Sequence, residues 1–176
     1  VLAHACLALS SLSLHEDSAT AVAVEWRKIA GLWRHLIAVG RTEDSMSPLD
    51  HLSAAICLLM QQTATQTILV GKGALAFILE ALAASHGEAT PAEAVVWISA
   101  ALSHLASRSA NLKGMSEASV STALHRMAIS DVADVRLNAA WTLAFLAAAQ
   151  GATEYNSSVL SWIRDLLLLT SVSGDD

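Results

Sequence analysis

Three helix-opening signals divide this chain at nearly equal intervals. Ser47-Pro48-Leu49-Asp50, Thr90-Pro91-Ala92-Glu93 and Asp131-Val132-Ala133-Asp134 each precede an apolar helical pattern, and their caps Ser47, Thr90 and Asp131 lie 43 and 41 residues apart. A Ser, Thr or Asp side chain accepts from an unpaired first-turn amide, Pro lacks the N–H that would go unpaired there, and the acid suits the positive end of the helix dipole. A second marker keeps almost the same beat: Leu58, Leu102 and Leu143 are 44 and 41 apart, and Leu9 precedes Leu58 by 49. Two markers with one period imply copies of one supersecondary unit, none of which buries its apolar stripe alone.

Each copy has the same order of parts: cap, long helix, polar connection, short helix, break near a glycine, apolar helix, loop. Leu2, Cys6, Leu9 and Leu12 share one helical face and read as the tail of a first copy. A helix is then expected from about Ala19 to Ile29, interrupted at Gly31, with Leu32, Trp33, Leu36, Ile37 and Val39 following and Gly40–Ser45 as a loop. After Ser47 the pattern runs through Leu52, Ile56 and Met60, a polar connection over Gln61–Thr67, and a break at Gly71-Lys72-Gly73. Leu75–Leu82, Val95–Leu105 and Val120–Met127 follow as helices, with Ser85-His86-Gly87 and Gly114 as breaks. The third signal opens the clearest helix, Ala133–Ala147, and Val159–Leu169 with Trp162 reads as a terminal one.

Composition supports helices throughout. Apolar residues make up 54% and charged residues 15%, with only 2 Pro and 8 Gly, so Ala, Leu and Ser dominate and strand formers are scarce. The net charge of -6 leaves no basic stripe to neutralise phosphates, which excludes nucleic acid as the expected partner. Mean hydropathy is +0.49, yet no stretch reaches the roughly 20 apolar residues needed to cross a bilayer. His4, Ser10, Ser11 and Ser13 interrupt the first apolar stretch, and Leu166–Leu169 is short.

The period, the small-small-large core Ala139-Ala140-Trp141-Thr142-Leu143, the similar Ala101-Leu102-Ser103-His104-Leu105-Ala106, the junction Val70–Leu75 and the element Asp134-Val135-Arg136 together resemble the armadillo/HEAT superfamily. The resemblance covers nearly the whole chain. It implies an all-α, right-handed α-solenoid of about three complete repeats plus a partial N-terminal one. The expected boundaries within a single domain, 1–176, are a partial repeat over 1–13, repeats over 14–62, 63–106 and 107–149, and terminal helices over 150–170.

In proteins of this kind the third helix of each repeat lines a concave groove that holds an extended peptide. Carried over by register, the matching pairs are Leu7 and Ser11, Ile56 and Met60, Ala100 and His104, and Trp141 and Phe145. Ile56, Met60, Ala100, His104, Trp141 and Phe145 are the expected partner-binding residues, because aromatic and Met side chains supply large contact area. The nuclear-import members use a recurring Trp and Asn ladder; only Trp141 fits it here, so nuclear-signal binding is not expected.

Chemistry is not expected of this chain. The histidines at positions 4, 15, 35, 51, 86, 104 and 125 follow no metal-ligand spacing, Gly71-Lys72-Gly73 lacks the longer phosphate-loop frame, and no Ser sits in a Gly-x-Ser-x-Gly turn. No cofactor, no metal and no catalytic residue are predicted. Cys6 and Cys57 lie among apolar residues and read as reduced core thiols. No basic segment precedes the first apolar run, so no secretory signal is read and an intracellular, cytoplasmic protein is expected. The expected role is a non-catalytic scaffold or assembly subunit that takes a protein partner, an extended peptide or a helix of another subunit, within a larger chain or complex. The other role the composition allows is a helical accessory subunit embedded in a larger assembly, beside a membrane or a cofactor.

Overall fold

The computed structural model describes residues 2–39, 47–85, 90–112 and 118–150. The expected loop at Gly40–Ser45, the breaks at His86-Gly87 and Gly114 and the terminal helices over 151–170 lie outside them. All secondary structure among the described residues is helical: α1 (Leu2–Leu12), α2 (Glu16–Val24), α3 (Trp26–Val39), α4 (Pro48–Gln61), α5 (Thr63–Gly71), α6 (Ala74–Ala84), α7 (Ala92–Ala106), α8 (Ser109–Leu112), α9 (Ala118–Ala128) and α10 (Ala133–Gln150).

Each helix packs on the one three places later. The long helices form one row, α1 on α4, α4 on α7 and α7 on α10, while α2 packs on α5 and α6 on α9. The remaining steps are made by side chains. Trp26 and Trp33 of α3 each pack nearly perpendicular to Phe77 of α6, with ring centroids 5.1 and 5.5 Å apart at 86° and 84°. Arg34 lies 5.3 Å from the same ring and grips both Glu80 oxygens at 2.7 and 2.6 Å. From α8, Asn111 donates to Gln66 of α5 at 3.2 Å. The core therefore runs as a continuous apolar seam from Cys6 to Leu146.

Local chemistry explains where the helices start and stop. Ser47 Oγ accepts from the Leu49 amide at 3.2 Å, as its capping role requires. At the other two openings the expected caps move. Pro91 occupies the cap position of α7 and leaves Thr90 without a capping bond, and ahead of α10 it is Ser130, not Asp131, that accepts from the Val132 amide at 3.2 Å. The expected break at Gly31 also moves, to Glu25 between α2 and α3. Gly31 continues α3 because its neighbours Ile29, Ala30 and Trp33 are buried, and their burial outweighs the ~1 kcal/mol helix cost of one glycine. Gly73 is different: its φ of 83° turns the chain through 83° between α5 and α6, a conformation that favours glycine.

The expected polar connection Gln61–Thr67 is largely helix α5, and its polar side chains have a structural use. A helix ends with four carbonyls that lack intrahelical partners. Thr65 Oγ1 donates to the Leu59 carbonyl and Gln66 Nε2 to the Met60 carbonyl, closing the end of α4 from the next helix. Gln66 Nε2 also reaches the His104 carbonyl at 2.9 Å, and Arg108 donates to the Thr63 carbonyl at 2.9 Å, so the same polar junction ties neighbouring three-helix layers. Gln62 does likewise to the Ser13 carbonyl at 2.6 Å.

No single described helix is long and apolar enough to cross a membrane, although the bent pair α5 and α6 passes that test jointly. Leu69, Ala74, Phe77, Ile78, Ala81 and Leu82 from that pair are committed to the core. Cys6 and Cys57 are free thiols inside it, and burial pushes Cys57 up to about 12. Both thiols should stay unmodified by a thiol-specific reagent in the native protein and react together on addition of denaturant, because the thiolate is the reactive form. Rapid native labelling of Cys57 would contradict its placement.

Candidate functional site

The row α4–α7–α10 determines which of the expected binding residues reach the surface. The capping period of 43 and 41 places Leu59, Leu102 and Leu143 at equivalent positions, and all three are buried. Leu58, the marker the sequence suggests, is only half-buried. One residue of register turns a helical position by about 100°, and the effect on α4 is direct. Ile56 and Met60 are both fully enclosed between α1 and α7 and offer no surface to a partner, which corrects their expected role. On α1, Leu7 and Ser11 are exposed, with Ser11 Oγ bonded back to the Leu7 carbonyl at 3.1 Å.

The α7 and α10 positions do reach the surface. Trp141 is 54% exposed and stacks on Phe145, one turn further along α10, with centroids 6.1 Å apart and planes at 27°. Ala100 and His104 sit half-buried one turn apart on α7. Two residues join them, 41 apart as the caps and leucines of these two helices are. Trp97 and Asn138 occupy equivalent positions, both half-buried, and Ala54 is their counterpart on α4.

Asn138 fixes how α10 sits on α7. Its Nδ2 donates to Ser99 Oγ at 2.9 Å and to the Val96 carbonyl at 3.3 Å, joining the second turn of α10 to the second turn of α7. Thr142 Oγ1 closes back on the Asn138 carbonyl at 2.8 Å. The Trp141–Phe145 pair therefore stands on a helix held against α7 by partly buried polar bonds.

Burial lowers the pKa of His104. A base whose folded pKa is depressed is neutral in the fold, so its contribution to stability is complete above its unfolded pKa, near 6.5, and is lost as pH falls below that value. Denaturant midpoints measured from neutral to mildly acidic pH should fall in the wild-type chain, and His104→Gln should flatten that part of the slope. An unchanged slope in the variant would contradict the burial of the imidazole.

Among the described residues, no group of three or more His, Cys, Asp or Glu side chains is placed to hold a metal ion. The surface offers aromatic area, one neutral imidazole and an anchored amide, which is equipment for contact. No known protein family matches this chain, and no curated protein matches it either.

Proposed function

We propose that the chain is a non-catalytic protein-interaction module, an armadillo/HEAT-like right-handed α-solenoid whose partner lies along the surface of α7 and α10. The observation that carries this reading is the exposed Trp141 stacked on Phe145 and rooted by Asn138 in the neighbouring long helix. Trp is among the residue types enriched at the energetic centres of protein interfaces. The three-place packing rule supports the solenoid, because it is the contact pattern that stacked three-helix repeats produce.

The partner's chemistry follows from the surface. Trp141, Phe145 and half-buried Trp97 suit apolar anchors, while Glu93 and Asp134, exposed in the first turns of α7 and α10, suit basic residues at the end where these helices start. An extended peptide or a partner helix with an apolar row and a basic end fits both features. Selection from a displayed random-peptide library tests the reading. Peptides enriched by the wild-type chain should carry that pattern and lose on the order of 30-fold in affinity to Trp141→Ser, as for a residue worth about 2 kcal/mol. Enrichment of the same peptides by both chains would overturn it.

A further inference from the structure

Two side chains that the sequence assigns to helix capping are displaced from that work, and both line one cleft. Pro91 takes the cap position of α7 in place of Thr90, and Ser130 caps the opening of α10 in place of Asp131. The cleft holds about 200 Å³ between the end of α6, the start of α7, the end of α9 and the start of α10. Its floor is apolar, with Leu82, Met127 and Val135 buried and Val95 half-buried. Arg126, from the last turn of α9, lines it as well. Among the described residues, neither the Arg126 guanidinium nor the Asp131 carboxylate has a partner, and the two are not paired with each other. The wall that carries Asp131 is held from α10, because Arg136 donates to the Ser130 and Asp131 carbonyls at 2.7 and 3.0 Å.

We propose that this cleft binds a free α-amino acid with a short apolar side chain. Size is the first argument: the volume lies below the roughly 300–1,000 Å³ of sites for drug-sized molecules, while the lining has the same build, an apolar floor with a few polar groups around it. Charge is the second. An anion alone would meet Asp131 and a cation alone would meet Arg126, whereas a zwitterion is attracted by both. Arg126 can grip both oxygens of the ligand carboxylate, and Asp131 can accept from its ammonium. The Ser85 hydroxyl already donates to the Ala81 carbonyl at 2.6 Å and Ser130 Oγ accepts from the Val132 amide, which leaves the Thr90 hydroxyl to add a third polar contact. The side chain then lies on Leu82, Val95, Met127 and Val135. A peptide carries its two terminal charges far apart, so only a free amino acid brings both into one cleft of this size.

The proposal does not rest on the Trp141–Phe145 surface, and neither residue lines the cleft. NMR titration of the isotope-labelled 176-residue chain with L-valine, L-leucine and L-methionine tests it. At least one of the three should bind saturably, with shifts centred on the amides of 126–135. Arg126→Gln and Asp131→Asn should each weaken that ligand about tenfold, as for the loss of one charge-assisted hydrogen bond. Both side chains are exposed, so both variants should keep wild-type helicity by circular dichroism. The N-acetyl and carboxamide forms of the same amino acid should bind the wild-type chain about tenfold more weakly than the zwitterion. Asp131→Asn should erase the first difference and Arg126→Gln the second. Two outcomes overturn the proposal: no saturable binding of any of the three amino acids up to about 10 mM, or binding that is indifferent to both substitutions.

Discussion

Phe77→Ala is expected to destabilise the chain by about 3–5 kcal/mol, the cost of removing a large aromatic side chain from a filled core. That is a large share of the 5–15 kcal/mol that holds an ordinary domain together. Three contacts are lost at once, because the Phe77 ring packs perpendicular to Trp26 and Trp33 and lies under Arg34. Trp26 and Trp33 are themselves buried, and Trp33 is further tied by its indole N–H to Ser53 Oγ at 3.0 Å. The change would loosen α3 from α6 and open a cavity between the first two layers. Chemical denaturation followed by tryptophan fluorescence measures it. A loss below about 1 kcal/mol would mean that the cluster is not packed as described.

Gln66→Leu has the second largest expected effect, a loss of about 2–3 kcal/mol, although Leu is the more hydrophobic residue. Gln66 is buried and its amide serves the Met60 carbonyl at the end of α4 and the His104 carbonyl near the end of α7, while its oxygen accepts from Asn111. Leucine fills the same space and takes the donor from the buried Met60 carbonyl, while the His104 carbonyl keeps Ser107 Oγ and Asn111 keeps the Leu105 carbonyl. Gln66→Glu should also be destabilising, since a carboxylate cannot donate to the two carbonyls and would be buried with its charge. A neutral or stabilising Gln66→Leu would show that water serves the Met60 carbonyl instead.

The sequence makes the helices legible because capping and apolar spacing are local signals. Ser47 does what its position suggests. Where a local signal competes with burial, burial prevails: Gly31 does not break α3, because Ile29, Ala30 and Trp33 must all reach the core from one continuous helix. The polar run after Met60 hides a helix for the opposite reason. Thr65 and Gln66 are buried because they satisfy backbone carbonyls of a neighbour, and no periodicity in the sequence reports a partner 38 residues away such as His104.

The proposed binding surface is half legible in the sequence. On α7 and α10 the spacing of 41 residues holds for caps and leucines alike, so Ala100, His104, Trp141 and Phe145 reach the surface. On α4 the tandem Leu58-Leu59 offers two registers, and only burial distinguishes them, with Leu59 inside. Choosing Leu58 rotates Ile56 and Met60 outward, whereas the fold encloses them. Trp97 and Asn138 escape for a different reason: they keep the 41-residue spacing, but a Trp and an Asn share no chemistry that would mark them as equivalent.

The central claim is that α1, α4, α7 and α10 form one open row in which each long helix touches the next. Distances between spin labels test it, and the inertness expected of Cys6 and Cys57 leaves introduced cysteines as the only reactive sites. Labels would replace Gln61 on α4 and Ala144 on α10, both exposed. Packed helices lie about 8–10 Å apart, so an open row with α7 between them predicts a distribution centred near about 20 Å. A closed bundle in which α4 and α10 touch would instead give strong dipolar broadening from a separation near about 10 Å, and that result would contradict the stacked fold and the binding surface built on it.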